Sequence, residues 1–111
     1  MKKIGFAVLA SLLALPLAAE TWKNVSLMDA GCAAKKDVVA KPDEHPKACA
    51  LQCAKAGYGA IVNGKFVKFD KKGDELASEA IKNSSKSDHL RATVVGEMKN
   101  GTIQVTSLTM D

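Results

Sequence analysis

The sequence lacks the usual signatures of catalysis. No serine sits in a nucleophile-elbow context, there is no phosphate-cradling loop, and neither C-x-x-C nor the haem-attachment motif C-x-x-C-H occurs. Thioredoxin-type exchange has no support, and the chain reads as a non-enzyme. Aromatic residues make up only 5% of the 111 positions, and beyond residue 19 they are Trp22, Tyr58, Phe66 and Phe69. Charge of one sign is scarce as well: the formal net charge of +4 falls to +2 once Lys2 and Lys3 are set aside. With neither a basic stripe nor a stacking platform, nucleic acid is not an expected partner.

A long apolar run is missing too. Ile4 to Leu15 falls short of the roughly 20 residues that a membrane span needs. It follows the basic start Met1-Lys2-Lys3 and ends at Pro16 and the small pair Ala18-Ala19, the three-part layout of a secretory signal peptide over residues 1–19. No cysteine closes the run, so no lipid anchor is expected. The expectation is a single domain over 20–111, periplasmic or secreted, with no membrane attachment after cleavage. Its composition, 47% hydrophobic and 25% charged over the whole chain, is that of an ordinary globular protein. So short a domain buries a modest fraction of its surface, and a covalent or metal staple would help to hold it.

The pattern along the chain predicts five strands and two helices. Thr21 to Met28 reads as a first strand, ended by Asp29-Ala30-Gly31, and Ala33 to Ala40 as either a helical turn or a loop. Pro46 to Ala56 is helix-forming material with Gly57 suited to a C-terminal cap. Tyr58 to Val62 and Lys65 to Asp70 flank Asn63-Gly64, a strong hairpin signal because both turn residues accept positive φ. Leu76, Ala77, Ala80 and Ile81 form the stripe of a second helix over Gly73 to Lys82. Asn100-Gly101 then joins Leu90 to Glu97 with Thr102 to Thr109 in another hairpin. The predicted class is α+β, mostly β: an OB-fold-like five-stranded small barrel. It carries an extra cysteine-bearing helix after strand 1 and a second helix between strands 3 and 4. A generic α+β sandwich with helices on one face of an antiparallel sheet is the alternative.

Three cysteines and one histidine stand close together as C-x12-H-x3-C-x3-C: Cys32, His45, Cys49 and Cys53. On a helix, positions four apart share a face, so Cys49 and Cys53 are expected to point the same way. His45 precedes Pro46 and is expected to be extended, capping the helix while still able to reach that face. Three thiolates and an imidazole suit one tetrahedral zinc ion, or Cu(I) with Met28 as a further soft donor. A disulfide explains the same cysteines in an oxidising compartment: Cys32 with Cys49 or Cys53. A bridge between Cys49 and Cys53 inside an intact helix is disfavoured by the short Cβ separation that disulfides need. Oxidation of any pair would abolish a shared metal site. His89 reads as a surface residue, Asp70, Asp74 and Glu75 as solvated or helix-start charges, and Lys65, Lys68, Lys71 and Lys72 as a solubilising patch.

Met28-Asp29-Ala30-Gly31-Cys32, the stretch from His45 to Gly57, the Gly64-Lys65-Phe66 hairpin and Val94 to Glu97 carry a likeness to known proteins. Through the motif M-D-x-x-C…H-x3-C-x3-C, the sequence resembles a family of small exported bacterial OB-fold-like proteins of unknown function. That resemblance implies a barrel and no enzymatic activity. Three function classes follow. First is an exported metal-binding protein holding Cu(I) or Zn(II) at Cys32, His45, Cys49 and Cys53. Second is a disulfide-stabilised, metal-free binding module for a small envelope ligand. Third is a thiol-redox protein, which would need a cysteine of depressed pKa.

Overall fold

The computed structural model describes residues 19–111. The expected export signal lies, but for its last residue, outside the described residues. Strand β1 (Glu20–Asp29) leads into an insert made of α1 (Ala30–Ala33), α2 (Lys36–Ala40), a 3-10 turn at Pro42–Glu44, α3 (Lys47–Gln52) and a second 3-10 turn at Ala54–Ala56. Strands β2 (Tyr58–Val62) and β3 (Lys65–Phe69), helix α4 (Lys71–Asn83), and strands β4 (Arg91–Lys99) and β5 (Thr102–Met110) follow. The architecture is α+β, built on a mixed five-stranded sheet. β1 pairs antiparallel with both β2 and β4, and a short parallel contact joins β3 to β5, so the sheet closes in the order β1-β2-β3-β5-β4. The β3–β5 contact is parallel, so the sheet is mixed and not purely antiparallel.

Both hairpins turn at the Asn-Gly pairs. Asn63 and Gly64 have φ of 52° and 79°, and Asn100 and Gly101 have 54° and 78°, the doubly positive pattern whose twist matches the flanking strands. The pairings Val62↔Lys65 and Lys99↔Thr102 close directly over them.

Helix α4 is capped by Asp70, whose Oδ1 accepts from the backbone N–H of Gly73 at 3.0 Å and of Val105 at 3.1 Å. One carboxylate thus starts the helix and ties it to β5. Gly73, Ala77 and Ile81, spaced by four, are the buried face of α4. Ala77 and Ile81 pack into a core with Leu27, Tyr58, Phe69, Leu90, Val94 and Ile103. Burying one such aliphatic side chain stabilises the fold by about 1.5–3 kcal/mol. Asp74, in the first turn of α4, accepts from Tyr58 N–H at 2.8 Å, so Asp70 and Asp74, two of the charges expected at the start of this helix, act as anchors.

The single helix expected over Pro46–Ala56 is shorter. Pro46 is the extended N-cap of α3, the helix ends at Gln52, and Cys53 (φ −100°, ψ 25°) is its C-cap. The chain then tightens into Ala54–Ala56 and leaves through Gly57 at φ +87°. The cause is the return to the barrel. Gly57 O accepts from Ala30 N–H at 2.8 Å, and Tyr58 pairs with Asp29. A straight helix through Ala56 would carry the chain past that anchor, and a 3-10 turn is the usual way to tighten a helix end. Cys49 and Cys53 therefore do not share the interior of one regular helix.

Candidate metal site

Asp29 is the last residue of β1 and the N-cap of α1. Its Oδ2 accepts the backbone N–H of Cys32 at 2.8 Å, the bond that a capping carboxylate makes to the third residue of the helix. That bond fixes the carboxylate beside Cys32 and leaves Oδ1 free to accept from His45 Nε2 at 2.6 Å. Both side chains are withdrawn from solvent, 0% exposed for Asp29 and 5% for His45.

His45 reaches Asp29 because its backbone is extended (φ −75°, ψ 117°), as the following proline requires, and because the turn before it is fastened to the barrel. Asp43 in that turn accepts from Arg91 Nε at 2.9 Å and from Arg91 Nη2 at 2.6 Å. Ser26 donates to the same carboxylate at 3.4 Å, and His89 N–H donates to the Asp43 carbonyl at 3.0 Å. The forked pairing holds the Asp43 carboxyl below its ordinary range and raises the Arg91 guanidinium. Beside His45 a pocket of about 340 Å³, lined also by Asp37, Val38, Lys41, Glu44 and Pro46, opens toward solvent.

The donor atoms of Asp29, Cys32 and His45 all lie within 4.8 Å of one another, and this group can hold a metal ion. The half-buried Cys32 thiol is pushed up to about 11 by burial, then by the charge of Asp29 and a hydrogen bond to it, and then by Cys53. Apart from burial, these causes are negative or accepting neighbours that oppose an anion at sulfur, and a cation among the three donors would reverse their sense. The thiol-redox class needs the opposite shift, toward a stable thiolate, and Cys32 does not provide it.

Of the four residues expected from the sequence, the structure brings Cys32 and His45 into this group and leaves Cys49 and Cys53 outside it. Cys53, at the end of α3, is near enough to Cys32 to add to the rise in its pKa. Cys49 is one turn earlier, where its carbonyl accepts from Cys53 N–H at 3.2 Å. Met28 is fully buried, and strand alternation turns its side chain to the face of β1 opposite Asp29. His89 is exposed and hydrogen-bonded to Asp88 at 2.9 Å, in keeping with a surface role.

Asp29 is the donor that reasoning from cysteines and histidines missed. Its signal was present in Asp-x-x-Cys at a strand end: an aspartate three residues before a helical position is a capping pattern, and the cap places the carboxylate next to Cys32. Tyr58, paired with Asp29 across the strands, donates its hydroxyl to Ala50 O at 2.8 Å. Burial raises its pKa, with Asp29, Asp74 and Cys53 adding to the effect.

No protein-family model, curated protein or solved structure matches the chain.

Proposed function

We propose that this is a small exported zinc-binding protein, with the ion held by the Asp29 carboxylate, the Cys32 thiolate and the His45 imidazole. The observation that carries the reading is the convergence of three different donors from β1, α1 and the turn before α3. One hard oxygen, one borderline nitrogen and one soft sulfur suit the borderline ion Zn(II) better than Cu(I), which favours sulfur-rich sites. Asp29 and His45, in contact at 2.6 Å, would hold the ion through the carboxylate Oδ1 and Nε2. Cys32 would bind as the thiolate, its proton released when the ion is taken up.

The closed strand order with its parallel β3–β5 contact, and α4 between β3 and β4, supports an OB-fold reading of the barrel. The likeness to exported bacterial proteins and the layout of residues 1–19 support a periplasmic or secreted location. The ion would tie the end of β1 to the insert, with no catalytic step assigned to it.

The test is competitive zinc titration of the reduced chain lacking its leader. Expected is about one zinc per chain, with affinity lowered more than about 100-fold by Cys32→Ser or His45→Ala, beyond the effect typical of outer-shell changes. Cys49→Ser should bind as the parent does. A parent that binds no more zinc than the Cys32→Ser variant would overturn the proposal.

A further inference from the structure

Cys32 has a second partner. The N–H of Ala30 and the carbonyl of Gly57 are joined at 2.8 Å, which pins α1 to the segment that follows α3. A Cβ placed on Gly31 would stand 3.7 Å from the Cβ of Cys53, so Cys53 borders the residue that precedes Cys32. Cys32 and Cys53 are both half-buried rather than sealed in the core. Cys53 is a helix C-cap rather than an interior position, so its backbone can adjust to the Cβ spacing of a disulfide.

We infer that Cys32 and Cys53 form a reversible disulfide that expels the metal, making the site release zinc on oxidation. The inference rests on the zinc reading above. The oxidant is a low-molecular-weight disulfide of the glutathione type. The sulfur of Cys53 attacks it, forming a mixed disulfide and releasing one thiolate. The sulfur of Cys32 then attacks Cys53 and displaces the second thiolate, so one external disulfide is reduced to two thiols while one protein disulfide forms. The thiol proton of Cys53 and one proton from solvent, replacing the zinc on Cys32, complete the two released thiols. Zinc is left with Asp29 and His45 alone and dissociates.

The experiment treats the zinc-loaded chain with oxidised glutathione, follows zinc with a chromophoric indicator, and maps disulfides in a non-reducing digest. Expected is release of about one zinc as two thiols disappear, a linked peptide joining Cys32 to Cys53, and recovery of zinc binding after dithiothreitol. Cys53→Ser should bind zinc within about threefold of the parent when reduced and keep it under the oxidant. A linkage through Cys49, zinc retained after the Cys32–Cys53 bond has formed, or equally fast release from Cys53→Ser would overturn the inference. So would loss of zinc binding in reduced Cys53→Ser, which would make Cys53 a ligand. If the reduced parent binds no zinc, the zinc reading fails and takes the release step with it. The peptide map then still decides the pairing on its own.

Discussion

Asp29 and His45, separated by 16 positions in the chain, meet in a buried 2.6 Å hydrogen bond while the other oxygen of the same carboxylate caps the helix bearing Cys32. One side chain therefore satisfies a helix start, orients an imidazole and stands next to a thiol. Removing His45 leaves Oδ1 of a buried carboxylate without this partner.

In the metal-free protein, His45→Ala is expected to lower stability by about 1–3 kcal/mol, because the enclosed Asp29 carboxylate loses its partner at Oδ1 while Oδ2 keeps the Cys32 N–H. Asp29→Asn should cost less, since the amide oxygen can still cap α1. Urea denaturation of the reduced variants checks both. A loss below about 1 kcal/mol for His45→Ala would mean that the pair is not a structural contact.

Acid should weaken the fold partly through Asp43. Its folded pKa lies below the ordinary carboxyl value of 3.8, so its contribution is present above that value and drains as the pH falls through the folded pKa. With side chains 28% and 35% exposed, the Asp43–Arg91 pair is worth about 1 kcal/mol. Asp43→Asn should flatten the acid limb of a stability-against-pH curve by that amount and leave the slope near neutrality unchanged.

The strand frame was legible because its signals are local. Asn-Gly supplies positive φ wherever it stands, the alternation in β4 and β5 needs no distant partner, and the stripe on α4 follows from helix period alone. The insert was less legible. Where α3 ends depends on the Ala30–Gly57 hydrogen bond, a contact between segments far apart in sequence, and periodicity carries no record of it. The site was half legible for the same reason. Cysteine spacing pointed to Cys32 and His45, but the third donor is an aspartate whose local role is to cap a helix. The tertiary packing that turns it toward His45 leaves no mark on the sequence.

Alkylation should reveal the state of Cys32. With its pKa raised from 9.0 to about 11, the thiol of the metal-free, reduced protein should react with iodoacetamide at pH 8 more slowly than a cysteine in a short peptide, and accelerate as the pH climbs toward 11. Peptide-resolved mass spectrometry reads this at Cys32 separately from Cys49 and Cys53. The same shift makes the fold lose stability as pH rises from 9.0 toward 11, because the unfolded chain gives up this proton first.

The hairpin turns offer a test remote from the site. Gly64→Ala and Gly101→Ala each put a Cβ on a residue whose φ is 79° or 78°, at a cost of about 1–2 kcal/mol, although open space surrounds both positions. Thermal denaturation should show the loss, and zinc affinity should not change.

X-ray absorption at the zinc edge of the loaded, reduced protein tests the Asp29/Cys32/His45 assignment most directly, because sulfur scatterers stand apart from oxygen and nitrogen in the first shell. The expected shell holds one sulfur at about 2.3 Å, from Cys32, with the remaining ligands oxygen or nitrogen near about 2.0 Å. A shell with three sulfurs would restore Cys49 and Cys53 as ligands and contradict the assignment, as would a chain that retains no zinc.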